Sequence, residues 1–465
     1  MRVVIADLVS TRGFVNKDTI VGGFGSRFQG FSWTTQWIER ARKAYQNVPS
    51  VHAAYLAAIF AAKGHDVVFT QGPQMDGDLA LVLTSIVDFR NELEWSDIAR
   101  RRGLKVGLFG AMATHASDVL EGHSDFIIKG EPEHAAIRLA AGEQLSGIVP
   151  SPAINDLDSL PFPAWHLLLQ RRHRHAVGRS ILPTRAAFPV LSSRSCPEFC
   201  TYCPHRITAP YRARTPENVL AELEELCRRH GKIYVIFRDP LFSEERERSV
   251  GIAEGILRKN LPIQFECETR LDDLDTGLLD LLYRAGLRAI TFGVESVSPT
   301  TLKHVGRRPI PPVHQKAIVD HCKRLGIGTH GFYVFGFLDD TPDSIRATIQ
   351  YAVDLDSSFA LFKILTPYPG TPIRKQLAHL ITETDLEKFD GYTLTFKHPN
   401  ISDVEMRFLL GSAYARFYVR ASWGRNYLGL PKHWEWIERL DAFAQRQQTA
   451  QELAFMTEQS KARLQ

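Results

Sequence analysis

The residues best placed to do chemistry are three cysteines. Cys196-Pro-Glu-Phe-Cys200-Thr-Tyr-Cys203 sets them at a CxxxCxxC spacing, after an apolar run, Phe188-Pro-Val-Leu191, that reads as a short buried strand. Three thiolates are one short of a closed four-ligand metal site. Held by three cysteines, a 4Fe–4S cluster keeps one iron open, and that iron can take a ligand that reacts. A structural zinc would instead need a fourth ligand, and His205, just past Cys203, could supply it. Cys227, Cys267 and Cys322 lie at element positions and read as buried small hydrophobes. Six cysteines without a paired framework fit a reducing cytoplasm.

Elements able to position such a loop lie on both sides of it. Over residues 1–150, strand and helix patterns alternate. Strands are expected at Val3–Ile5, Asp66–Thr70, Leu79–Leu83, Lys105–Phe109 and Asp125–Ile128, the last closing the series. Helices are expected at Ala53–Ala62, stopped by Lys63-Gly64, around Asp88–Arg101, and after Gly130-Glu-Pro-Glu133. This is an α/β pattern, a doubly wound, Rossmann-like parallel sheet. Such sheets bind ligands at the carboxyl ends of their strands, where Thr84-Ser85, Gly110-Ala111 and Gly130-Glu131 fall. A long loop, Val9 to Ser50, holds Gly22-Gly-Phe-Gly-Ser-Arg-Phe-Gln29 and Phe31-Ser-Trp33; loops of this length are usually functional or disordered. Arg27 there either faces an anionic group or caps a domain interface.

Residues 151–187 read as a linker: Asp156-Leu-Asp-Ser-Leu-Pro-Phe-Pro-Ala-Trp165 is proline-rich, and Arg171-Arg-His-Arg-His175 reads as a solvated stretch rather than a nucleic-acid patch. Over 188–380 strands and helices alternate again, with strands at Ile233–Phe237, Ile263–Cys267, Ala289–Phe292, Thr329–Phe335 and Phe359–Leu365. Thr215-Pro-Glu-Asn218 opens a helix with Thr215 as N-cap. Polar residues gather where the strands end, which is where parallel barrels place chemistry. Residues 381–465 are helical and aromatic, with Phe417, Tyr418, Trp423, Tyr427, Trp434 and Trp436 reading as core more readily than as a substrate pocket. At 465 residues and net charge +4, the chain has the size of two or three domains and no strong charge bias. No run is long and apolar enough to cross a membrane, and Met1–Ala6 reads as a strand, not a signal peptide.

The cysteine motif and its flanks resemble the radical S-adenosylmethionine (SAM) superfamily. Leu191-Ser-Ser-Arg-Ser-Cys196 is similar to that family's S-x-R-G-C entry, with Ser195 where glycine is usual. The Lys129-Gly-Glu-Pro-Glu133 tail and the 156–163 string resemble the cobalamin-binding domain and connector that precede many radical SAM domains. Gly22–Gln29 resembles the N-terminus of hopanoid cyclitol ring-contraction enzymes, and Arg416-Phe-Tyr-Val-Arg420 a string of the magnesium-protoporphyrin cyclase branch. The resemblance implies a cobalamin-binding domain, a radical SAM partial (β/α)6 barrel and a C-terminal helical region.

By the same resemblance, Cys196, Cys200 and Cys203 hold the 4Fe–4S cluster. Tyr202, Asp239, Glu268, Arg270, Glu295, Ser296, Gly331 and Gly336 contact SAM, with Arg270 suited to its carboxylate. Thr84, Ser85, Gly110, Ala111, Gly130 and Glu131 contact cobalamin, whose axial D-x-H-x-x-G histidine is absent. Pro240 replaces an aspartate, and the turn after Gly336 reads Phe-Leu-Asp-Asp340-Thr341 in place of x-P-G-E-T. The implied activity is methyl transfer to an unactivated carbon of a small-molecule or lipid-like intermediate, through a 5′-deoxyadenosyl radical. An electron donor such as flavodoxin or ferredoxin is implied, and no nucleic acid. Ring contraction, cyclisation or oxidation with the same cofactors is the alternative. A non-catalytic sensor of cobalamin or redox state is a third reading, against which the filled barrel-end constellation argues; a flavodoxin-like first domain that binds nothing is the bland alternative, since fold alone does not establish a ligand.

Overall fold

A computed structural model describes residues 1–17, 24–28, 50–168, 174–176 and 183–428. Eight strands come first: β1 (Arg2–Ala6), β2 (Phe14–Asn16), β3 (Ser26–Phe28), β4 (Asp66–Thr70), β5 (Leu79–Leu83), β6 (Lys105–Phe109), β7 (Phe126–Gly130) and β8 (Gly147–Ser151). Six of them form a parallel sheet in the order β4-β1-β5-β6-β7-β8, while β2 and β3 make a separate hairpin inside the long loop. Every residue of β5 is buried, as expected of a central strand with helices on both faces. The helix Val51–Ala62 is buried from Val51 through Phe60 and has almost no polar face. The sheet does not close at β7 as the sequence pattern indicates. β8 adds an edge, and its mostly exposed residues with Pro150 give it little apolar signal.

The second sheet contains β9 (Arg174–Ala176), β10 (Pro183–Val190), β13 (Ile233–Phe237), β14 (Ile263–Thr269), β15 (Leu287–Glu295), β16 (Gly328–Phe335) and β17 (Phe359–Ile364). Its order is β17-β16-β15-β14-β13-β10-β9, and the six strands from β10 to β17 are parallel, with helices between most of them. This is the α/β partial barrel expected from the sequence. The antiparallel strand β9 was not expected; it lies in the basic stretch read as solvated, and residues 171–173 lie outside the described residues. Between the sheets, β11 (Ser193–Arg194) pairs with β12 (Arg212–Ala213).

An open barrel has a free edge, and unpaired strand groups there must be satisfied. The helix Asp403–Tyr418 does this with side chains. Tyr418 Oη donates to Ala360 O at 2.7 Å and accepts from Ala360 N at 3.1 Å. One turn earlier, Tyr414 Oη treats Phe362 in the same way. Trp423 Nε1 donates to Ser358 O, and Ile364 N to Gly391 O. The aromatic stripe thus reads the alternate residues of β17 and is core, as its composition suggests. Trp434 and Trp436 lie outside the described residues, as does the side chain of Tyr427.

One apolar core runs through both sheets. Tyr55, Leu56, Phe126 and Ile128 belong to the same cluster as Leu160 and Trp165 of the connector and Phe188, Leu191 and Val219 of the barrel. Asp158 fixes the connector further by accepting from Thr215 N and Thr215 Oγ1, while Thr215 Oγ1 caps the helix Pro216–His230 through Asn218 N.

Candidate functional site

The cysteine loop leaves the end of β10 and is fastened at its entry. Ser192 and Ser193 donate to Asp239 Oδ1 at 2.9 and 2.6 Å, and Arg248 Nη1 reaches Ser192 Oγ at 2.6 Å. Asp239 is fully buried, so it braces this turn from below. Ser195, where glycine is usual in the resembling family, has φ 66° and donates to His205 O. The turn is therefore kept by a serine in the left-handed region. Thr201 N donates to Val305 O and Thr201 O accepts from Ile373 N, which tie the loop to two further segments.

Cys200 is buried, while Cys196 and Cys203 are half-buried. Burial raises all three thiols, Cys196 to about 11. They would be protonated at neutral pH unless a metal displaced the protons. That suits ligands, not free nucleophiles. Among the described residues no group of three or more His, Cys, Asp or Glu gathers to hold one metal ion. Zinc with His205 therefore gains no support. Cysteines that hold a cubane bind separate irons and need not converge on one point.

Beside the cysteines lies a polar network that spacing alone did not show. Arg307 Nη1 is 3.9 Å from Cys200 Sγ; its Nη2 donates to Gly293 O and lies 3.6 Å from Glu295 Oε1. Glu295 is buried with φ 66°, at a register shift between β15 and β16. Burial raises its carboxyl, against the Arg307 charge and a hydrogen bond from Tyr202. A Cβ on Gly293 would lie 2.0 Å from Glu295 Oε1, so only glycine lets that carboxylate fold back. Tyr202, Glu295 and the cysteines are thus brought together, with Arg307 as the cation of the group. The Gly306-Arg307-Arg308 run after the helix Pro299–His304 was the available signal for it.

The other expected SAM residues are more scattered in role. Glu268 accepts from Arg238 Nη1 at 2.7 Å. Arg270 closes its fork on Asp272 at 3.0 and 2.9 Å, leaving the buried Nη1 without a hydrogen bond among the described residues. Ser296 Oγ accepts from Ser298 N, a local turn bond. Gly336 has φ 91° and donates to Asp340 Oδ2, so Asp340 rebuilds the altered turn. Gly331 lies close to the Tyr333 ring. Along β14 to β17 the half-exposed residues alternate with buried ones: Glu266 and Glu268, Thr291 and Gly293, His330, Phe332 and Val334, then Leu361 and Lys363. One face of the barrel sheet is therefore open and mixed polar and apolar.

A cleft of about 510 Å³, its open mouth included, lies between the two units; Gly110, Thr114, Gly130 and Glu131 face Arg194, Ser195 and His205 across it. Gly110 and Gly130 have φ of 113° and 112° and offer bare backbone at the ends of β6 and β7. Glu131 accepts from Arg212 and Arg194, Arg194 Nη2 lies 2.9 Å from Glu133, and Glu133 faces His52 Nδ1 at 3.1 Å. Burial opposes ionisation of Glu133, but Arg194 and His52 outweigh it and hold that carboxyl well below its usual range. Thr84 and Ser85 do not reach the cleft. Thr84 Oγ1 bonds Phe109 O and Ser85 bonds Glu92, and both are fully buried. Ala111 is buried at the start of the helix Ala111–His115. Arg27 does not meet an outside anion; it binds Asp88 at 3.0 Å and approaches Glu387 at 3.9 Å, capping the interface. Gly22, Gly23, Gln29, Phe31 and Trp33 lie outside the described residues.

The family model of the radical SAM superfamily matches residues 190–352. That span is a radical SAM domain. It includes the cysteine loop and most of the barrel. The chain is 27% identical over 318 residues to an uncharacterized methyltransferase of Pyrococcus horikoshii, covering 64% of this chain and 68% of the relative. It is 23% identical over 399 residues to the bacteriochlorophyllide d C-12(1)-methyltransferase of Chlorobaculum tepidum, covering 82% and 85%. The anaerobic magnesium-protoporphyrin IX monomethyl ester cyclase of Cereibacter sphaeroides is 24% identical, over 64% of this chain and 52% of the cyclase. Among solved structures, the radical SAM methyltransferase TsrM of Kitasatospora setae, with cobalamin and a [4Fe-4S] cluster bound, aligns with a TM-score of 0.61 at 14% identity, over 96% and 99% of the two chains. OxsB, with aqua-cobalamin and SAM bound, aligns with a TM-score of 0.67 at 13% identity, over 96% and 71%. These likenesses show that the radical SAM domain and the sheet before it share one known two-unit fold.

Proposed function

We propose that this chain is a cobalamin-dependent radical SAM methyltransferase acting on a carbon of a small-molecule biosynthetic intermediate. The observation that carries the reading is a juxtaposition: Arg194, Ser195 and His205 of the cysteine loop line the same cleft as Gly110 and Gly130 of the first sheet. A group held at those strand ends would lie against the cluster loop. The methyltransferase relatives support methyl transfer over ring contraction, cyclisation, oxidation or sensing.

Bound, the cluster, SAM and cobalamin would supply an electron, a carbon-centred radical and a methyl carrier. The protein's own part is positioning. Cys196, Cys200 and Cys203 would hold the cluster, and the half-buried Arg307 and buried Glu295 beside Cys200 would offer a cation and an acceptor to the amino-acid end of SAM. Gly331, Gly336, Tyr202, Ser296, Arg270 and Glu268 would contact the remainder of SAM. Gly110, Gly130 and Glu131 would border cobalamin, with the buried Ala111, Thr84 and Ser85 holding the strand end beneath. The open sheet face, with Glu266, His330, Phe332 and Lys363, is suited to a substrate with both polar and apolar parts. A small electron-carrying protein such as flavodoxin or ferredoxin would complete the system.

The test is anaerobic reconstitution with iron, sulfide and cobalamin, then SAM and a low-potential reductant. S-adenosylhomocysteine and 5′-deoxyadenosine are followed by mass spectrometry, and the cluster by visible absorbance. S-adenosylhomocysteine that requires added cobalamin is expected. 5′-Deoxyadenosine alone would sink methyl transfer, and failure of the wild type to hold a cluster absent from Cys200→Ala would sink the whole reading.

A further inference from the structure

We propose that the surface around Phe199 is the docking face for a small acidic one-electron carrier protein; this rests on the cluster reading above. Phe199 is 68% exposed and is the only aromatic among the large exposed hydrophobic residues described. It immediately precedes Cys200, so its peptide is a short covalent route out of the cluster loop. An exposed aromatic buries little apolar surface in folding, and a protruding apolar tip within a polar ring resembles the centre of a small interface.

The ring is basic. The Arg206 guanidinium lies 3.4 Å over the Phe199 ring. A Cβ on Gly306 would meet Phe199 O at 2.5 Å, so the segment after the helix Pro299–His304 presses against the tip. That helix ends with exposed Lys303 and His304. On the other side, Ile373 N donates to Thr201 O and brings in the helix Pro372–Gln376 with exposed Lys375. Arg206, Lys303 and Lys375 have no acidic partner among the described residues. Of the acids nearby, Glu198 lies 3.8 Å from Arg270 and 3.7 Å from Arg308, and Asp339 pairs with His304, while the exposed Glu244 lies on the Cys196 side of the loop, next to Glu198. Leu338, 38% exposed, adds apolar surface beside Asp339. Unpaired cations around an apolar tip select an acidic partner and steer it by charge. A carrier docked there places its reduced centre against the cluster loop. One electron would pass to the cluster, and the carrier would leave oxidised by one electron.

The experiment uses the full chain with its cluster reconstituted. Reduction by flavodoxin hydroquinone is followed by stopped-flow absorbance at two or more salt concentrations, with titanium(III) citrate as a small reductant for comparison. The double variant Lys303→Glu, Lys375→Glu is expected to be reduced about tenfold more slowly by flavodoxin and to lose the decline in rate with salt. Its rate with titanium(III) citrate is expected to match wild type, showing that fold and cluster are intact. Equal flavodoxin rates and equal salt slopes in the two proteins would overturn the docking face while leaving the cluster reading in place. A wild-type chain that takes up no cluster would remove both.

Discussion

Two residues near the cysteines hold backbone angles that side chains avoid. Ser195 and Glu295 both have φ of 66°, a conformation that costs about 1–2 kcal/mol away from glycine. Such strain persists where surroundings over-determine it, and here both lie beside the cluster loop. Ser195 recovers part of the cost through its bond to His205 O, worth about 1 kcal/mol net. Ser195→Ala keeps the strain and loses the bond, so a loss of about 1 kcal/mol is expected. Ser195→Gly loses the bond and the strain together and should stay within about 1 kcal/mol of wild type. Denaturant midpoints of the three proteins measure this; a glycine variant as weak as the alanine variant would remove strain from the account. The departure from the usual glycine was legible in the sequence. That the turn survives it was not, because the compensating carbonyl of His205 lies across the loop.

At the scale of elements, the free edge of β17 is closed by hydroxyls and an indole rather than by another strand. Tyr414 and Tyr418 are spaced one helical turn apart, and Ala360 and Phe362 are alternate residues of a strand; the two periods match over this span. Tyr418→Phe keeps the ring packing and leaves the N–H and C=O of Ala360 without their shared partner. A loss of about 1–3 kcal/mol is expected, read from denaturant unfolding. No change would mean that water replaces the hydroxyl at no cost. The helix and the strand were each legible from composition and periodicity. Their pairing was not, since nothing local in either says which edge will be open.

At the scale of the whole molecule, the two sheets are joined by a buried ionic network as well as by a shared core. Arg194, from the cluster loop's own strand, meets Glu131 and Glu133 of the first unit and lies 4.8 Å from the Tyr55 ring centroid. Removing one partner of a buried pair leaves the other charge uncompensated, at about 3–5 kcal/mol. Arg194→Met is therefore expected to cost about that much. The folded carboxyl of Glu133 is held below its unfolded value, so its contribution is present above about pH 4 and lost as pH falls through the lower folded value. In Arg194→Met that hold is weakened, and the variant should lose its remaining advantage at a higher pH than wild type. Thermal midpoints of both proteins across acid pH test this; parallel curves would show that the pair does not couple folding to protonation.

What the sequence determined by itself was local chemistry and local periodicity. The CxxxCxxC loop, the all-apolar β5, the Thr215 cap and the order of strands and helices follow from side-chain types a few residues apart, and the structure repeats them closely. Tertiary structure alone decided the rest. Arg307 reaches Cys200 from more than a hundred residues away. β8 pairs at an edge where burial imposes no apolar pattern, β9 adds an antiparallel edge strand, and Arg270, expected to face SAM, turns its fork to Asp272. Thr84 and Ser85, expected in the cleft, hold the strand end beneath it. The physical reason is common to these cases: a polar side chain's role is fixed by the partner that satisfies it, and that partner is chosen by the packing of distant elements, not by neighbours in the chain.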